Sequence, residues 1–178
     1  MDVKYIPHPL IIGLLAALMM VVEPWFGGWF ISWIAFQAWA VYFLAGMTIK
    51  GGTKAAAAYA AGSIAAAIII MAAGAFGPTL GAATLPVIVG VVATLVIFFE
   101  KVPGLDFIPA WFIGAGAHFA LANGALANFT HQTAFMIIVI SSIMGLIWGF
   151  FTVSLRGKYQ AWVDSQTKSE KLSATAAQ

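Results

Sequence analysis

Two carboxylates and one histidine are the side chains of this sequence best placed to do chemistry. Glu23 and Glu100 each close an apolar run, at the ends of GLLAALMMVVE (13–23) and GVVATLVIFFE (90–100). A carboxylate at the end of an apolar helix is costly unless it reaches water, caps a neighbouring helix or serves a polar path. Their placement is matched: Gly13/Gly90, Ala16/Ala93, Leu18/Leu95 and Glu23/Glu100 are identical at one offset, in a chain with only three glutamates. His118 is the one ionisable side chain well inside an apolar run, and Gly114, Gly116 and Ala117 beside it leave room for a solute or for another helix. A neutral imidazole donates one hydrogen bond and accepts one, which suits either an amide-like solute or a core serine or carbonyl. Trp33, Phe36, Gln37 and Tyr42 lie on or near one helical face. Such aromatic rows usually pack; Gln37 adds a polar group at a depth similar to that of His118.

Other chemistries find no residues to carry them. Cysteine is absent, so disulfides and thiolate metal sites are excluded. His8, His118 and His131 show no ligand spacing and are expected at different depths, so no metal site is expected. Without a phosphate-binding glycine loop, a nucleophile–base pairing or a haem-ligand pair, neither an enzyme nor a cofactor is expected. The net charge of +2 comes from scattered basic residues and does not describe a nucleic-acid surface.

The elements that must position these side chains belong in lipid. Hydrophobic residues make up 62% of the 178 and charged ones 8%, against about 25% charged in soluble domains. Apolar runs bounded by Gly, Pro or charge predict spans at about 7–22, 29–45, 55–76, 82–99, 107–122 and 133–153. The pair Glu23-Pro24 ends the first span, a lysine loop (50–54) precedes the third, and Gly77-Pro78 breaks the chain after it. No small-residue cleavage site follows the first run, which therefore reads as a retained helix. Residues 1–155 form one membrane domain, and 156–178 read as a polar cytoplasmic tail of disordered composition.

Six spans with the N-terminus inside put Lys4, Lys50, Lys54, Lys101, Arg156, Lys158, Lys168 and Lys171, all of the basic residues, on the inner side. Both termini are then cytoplasmic. The halves, about 7–76 and 82–153, also echo each other further along. Trp29-Phe30-Ile31 matches Trp111-Phe112-Ile113, Ala35 matches Ala117, and Phe36 falls opposite His118. Ala58, Gly62 and Ala66 match Ser141, Gly145 and Gly149, small residues at a spacing that lets helices approach closely in lipid. Three spans per half is an odd number, so the second copy enters from the opposite side: a three-plus-three inverted repeat.

The stretch from Trp33 with Tyr42-Phe43 through Gly51-Gly52, Lys54 and Val102-Pro103-Gly104 to Phe112-Ile113-Gly114-Ala115 and Phe119-Ala120 resembles an uncharacterised family of small bacterial inner-membrane proteins that includes YcdZ. The resemblance implies an integral inner-membrane protein and carries no activity. His118 is not among the residues that carry it.

The resulting expectation is an all-helical membrane channel or facilitator for a small neutral or weakly polar solute: urea, a short amide, ammonia or a small protonated acid. Glu23 and Glu100 would stand at the mouths and Trp33, Gln37 and His118 along the centre. A proton-coupled transporter using Glu23, Glu100 or His118 is one alternative, and a non-transporting scaffold or accessory subunit is another. The small-residue faces of spans three and six predict a homo-oligomer, a trimer before a dimer.

Overall fold

The computed structural model describes residues 5–124 and 127–176, all of its regular structure helical. Lys4, one of the residues expected on the inner side, lies outside them. Six helices follow in order: α1 (Pro7–Val22), α2 (Ser32–Leu44), α3 (Ile49–Leu80), α4 (Thr84–Phe98), α5 (Ile108–Ala122) and α6 (His131–Ala176). Among the described residues, three continuous helical stretches are long and apolar enough to cross a membrane: Pro7–Phe26, Ile49–Lys101 and His131–Ser169. The second contains α3 and α4. The helices α2 and α5 are shorter apolar elements. Such a protein fits a membrane, because helices that are apolar on every side have no use for water.

Local chemistry sets the ends. Pro7 starts α1, where its missing N–H costs nothing, and the turn Glu23–Phe26 closes it onto Gly27 in the left-handed region (φ 55°). Thr48 caps α3: its Oγ1 accepts from the Gly51 amide at 3.0 Å. Lys50 and Lys54 therefore lie in the first turns of α3 and not in a loop, because the cap starts the helix earlier than the alanine run suggests. Pro78 does not break the chain either. It sits inside the last turn of α3, and the break falls at Gly81, whose φ of 54° with ψ −129° is a glycine conformation. From there α4 folds back along α3, and Val89 and Val96 line one space with Ile69 and Gly62. The tail expected to be disordered is instead helical to Ala176, a direct continuation of α6.

Two helix pairs make the core. In the pair α2/α6, the Ile31 amide donates to Ser141 Oγ at 2.9 Å, Gly145 abuts the Ala35 carbonyl and Gly149 abuts the Tyr42 ring. In the pair α3/α5, Lys54 meets Asp106, Gly62 abuts the Trp111 carbonyl, Gly114 abuts the Tyr59 carbonyl and Ser63 meets His118. Residue numbers rise together across α2/α6, and across α3/α5 from Lys54–Asp106 at one end to Ser63–His118 further along, so each pair runs parallel. A side chain at Gly62, Gly114 or Gly145 would strike the backbone of its partner helix, which is why these positions are glycine. The helices α1 and α4 lie outside this core with most of their surface exposed.

Candidate functional site

Two polar side chains of α3, Tyr59 and Ser63, each reach a partner on another helix. Ser63, fully buried, is hydrogen-bonded to Nδ1 of His118 on α5 at 2.8 Å. His118, itself 1% exposed, carries the chain on: its Nε2 lies 3.0 Å from Nδ1 of His131 at the start of α6. The two imidazoles lie nearly parallel (12°) with centroids 5.3 Å apart. One turn before Ser63, the fully buried Tyr59 donates its hydroxyl to Oε1 of Gln37 on α2 at 3.2 Å. Residues from α2, α3, α5 and α6 thus meet in two short hydrogen-bonded chains, and α3 belongs to both.

The Ser63–His118–His131 chain has two self-consistent proton arrangements. In one, Ser63 donates to His118 and His118 to His131; in the other, both donors reverse. The two arrangements differ in the direction of both hydrogen bonds. Both ring nitrogens of His118 are engaged, so in this state the ring has no bond left for a solute. The expectation that His118 and His131 lie at different depths is corrected: the end of α5 and the start of α6 bring the rings together.

The remaining sequence candidates are spread apart. Glu23 is half-buried and its Oε1 accepts from the Ser32 amide at 3.2 Å, capping the first turn of α2. Glu100 is exposed in the turn Phe99–Lys101. The two carboxylates match in sequence and differ in contact. Trp33 is half-buried against the main apolar core, and Gln37 reaches that core only through Tyr59. Tyr59, Ser63 and His131 were missed. A tyrosine and a serine four residues apart in an alanine-rich span were the available signal, since polar groups inside such spans are seldom idle.

Cavities flank these chains at both ends of α3 and α5. One of about 340 Å³ lies at the N-terminal end and is lined in part by Gly46, Gly51, Lys54 and Asp106. There the hydrogen bond from the Lys54 ammonium, 2.8 Å from Asp106 Oδ2, holds the Asp106 carboxyl below the usual carboxylate range. Another, of about 560 Å³, lies at the opposite end among Gly74, Gly77, Thr84, Phe119 and Asn123. A third, of about 240 Å³, is apolar and lies between α3, α4 and α5. Basic groups gather at the first of these ends, where Arg156 Nε also donates to His8 Nδ1 at 3.4 Å, joining α6 to the start of α1.

A family model described as Protein of unknown function (DUF1097) matches residues 9–155. The chain belongs to this family. The match takes in all of α1 to α5 bar Pro7 and His8, together with α6 as far as Leu155, so both hydrogen-bonded chains lie inside it. No curated protein and no solved structure matches.

Proposed function

We propose that this family member is a six-span facilitator for a small neutral or weakly polar solute, such as urea, a short amide, ammonia or a small protonated acid. The observation that carries the reading is a pair of hydrogen-bonded polar chains, one from the exposed Gln37 to the buried Tyr59 and one from the buried Ser63 and His118 to the half-buried His131, between cavities at opposite ends of α3 and α5. Polar groups are held at depth in apolar helices only where something compensates their cost, and a solute path is the usual reason. In this reading the chains close the passage in the state described, and solute entry exchanges a protein–protein hydrogen bond for a protein–solute one.

The inverted repeat, with both termini inside, belongs to the same reading. Its support is the reciprocity of the packing: the second helix of each proposed half pairs in parallel with the third helix of the other, and the first helix of each lies outside. The basic groups gathered at one end favour that end as cytoplasmic, in keeping with the inner membrane that the resemblance to the YcdZ family implies. A homo-oligomer, trimer before dimer, is retained with changed contacts. Gly62 and Gly145 are used within the protomer, so the exposed faces of α1 and α4 would carry it.

A proton-coupled carrier is the second reading, favoured by the imidazole pair. Stopped-flow swelling of liposomes against a panel of neutral solutes separates the two. The facilitator reading expects flux of at least one solute without a pH gradient, and a fall of about tenfold in His118→Phe, equivalent to about 1.4 kcal/mol. His118→Gln, keeping a donor and an acceptor, retains more. Flux only under an imposed proton gradient selects the second reading, and flux equal to empty liposomes for every solute rejects both.

A further inference from the structure

The apolar cavity beside α4 has a filled counterpart beside α1. With the duplication proposed above, Leu15 corresponds to Val92, Met19 to Val96 and Phe30 to Phe112. The first member of each pair packs in the seam where α1 meets α2 and α6; the second lines the cavity where α4 meets α3 and α5. The residue that fills the first seam is Trp148, 9% exposed, with its indole N–H donating to the Leu15 carbonyl at 2.8 Å. Its counterpart, from the same match that pairs Gly62 with Gly145, is Ala65, which lines the cavity. Where one half of the molecule carries an indole, the other carries a methyl group and a space of about 240 Å³.

We propose that this cavity is a binding site for a planar, mostly apolar molecule of indole size with one hydrogen-bond donor. The inference rests on the repeat reading, since Trp148 is what defines the shape and chemistry of the occupant. The size agrees: an apolar cavity of about 150 Å³ admits benzene, so this one has room for a fused bicycle. An apolar lining keeps such a space dry, which leaves it to an apolar occupant. Leu15 gives the indole its acceptor, and Val92 is the residue that stands in that place here. Access is provided at one end, because Phe119 lines both this cavity and the more polar one that holds Thr84 and Asn123.

The test is fluorine NMR titration of 5-fluoroindole into the full-length protein in lipid nanodiscs, with empty nanodiscs of the same lipid measuring simple partition. The expected result is one saturable site per protomer above partition. Ala65→Trp, which builds the occupant into the wall, weakens binding by at least tenfold, and Ala115→Leu, on the opposite wall, weakens it as well. Trp148→Ala opens the other seam and raises the count to two. No saturable binding in the wild type, or unchanged binding in both blocking variants, overturns the proposal. So does an acyl chain held in the cavity, seen as lipid that co-purifies with the wild type and is lost from Ala65→Trp. If both blocking variants lose binding while folded Trp148→Ala gains no second site, the cavity stands as the site and the repeat equivalence falls.

Discussion

The outer helices α1 and α4 meet the same kind of surface, a parallel pair of core helices, and are held against it differently. The seam under α1 is closed by Met19, Phe30, Trp39 and Trp148, with the Trp148 indole tied to the backbone of α1. The seam under α4 is lined by Ala65, Val92, Ala93 and Ala115 and leaves a cavity. Lipid supplies no hydrophobic drive for one helix to bind another, so dispersion contacts and hydrogen bonds must hold each seam. The two seams thus differ in kind: α1 is tied across its seam by a hydrogen bond to an aromatic filler, while α4 packs through Val92 and Val96 beside an open space. The core pairs are locked separately, by backbone contact at Gly62, Gly114 and Gly145.

The largest effect therefore belongs to the core and not to the seams. Gly62→Leu and Gly145→Leu drive a side chain into the carbonyls of Trp111 and Ala35 and should leave no monodisperse protein on extraction in detergent. Gly13→Leu and Gly90→Leu, on the outer helices, meet nothing within 4 Å and should purify like wild type. Equal behaviour of the two sets would remove the distinction between locked core and outer helices.

Next comes the seam itself. Trp148→Ala should cost up to about 3–5 kcal/mol, the range for an aromatic truncated in a packed interior, less whatever lipid refills. Ala65→Leu, placed where there is already space, should change stability by no more than about 1 kcal/mol. Thermal unfolding in one detergent compares them, and a large loss in Ala65→Leu would mean that the cavity is not available.

The smallest effect lies at the charged end. Asp106 titrates below the usual carboxylate range because of its hydrogen bond with Lys54, so the stability it contributes is present above the unfolded-state pKa, about 3.9. It is lost as the pH falls through the lower folded-state value. Between about pH 5 and 8 the difference between wild type and Asp106→Asn should be flat, and it should shrink only in acid. A difference that changed near neutrality would contradict this assignment.

How much of this was legible in the sequence depends on how local the cause is. The bounds of α1 were read correctly at both ends, since Pro7 and Glu23-Pro24 act on their own neighbours. The start of α2 was read three residues early: Trp29-Phe30-Ile31 looks like helix, but the chain stays outside α2 until Ser32, where Glu23 caps it from nine residues away. Pro78 was overrated as a stop. In the last turn it frees only the Gly74 carbonyl, and the reversal needs the glycine three residues on. The site was half legible. His118 and Gln37 stand out as polar letters in apolar runs, whereas their partners His131, Ser63 and Tyr59 are set by how α3, α5 and α6 cross, which no spacing within one helix records. The tail was misread on composition alone, because a helix already begun can continue through polar residues that would not start one.

The proposed inverted repeat underlies the proposed passage and the proposed cavity site alike, and the side of the membrane on which Lys101 lies tests it most directly. The chain has no cysteine, so single substitutions report without background. In intact cells, a membrane-impermeant maleimide should label Thr79→Cys, in the last turn of α3, and should reach Lys50→Cys and Lys101→Cys only after the membrane is opened. Labelling of Lys101→Cys in intact cells, from the same side as Thr79→Cys, would mean that α4 does not recross the membrane and would contradict the account.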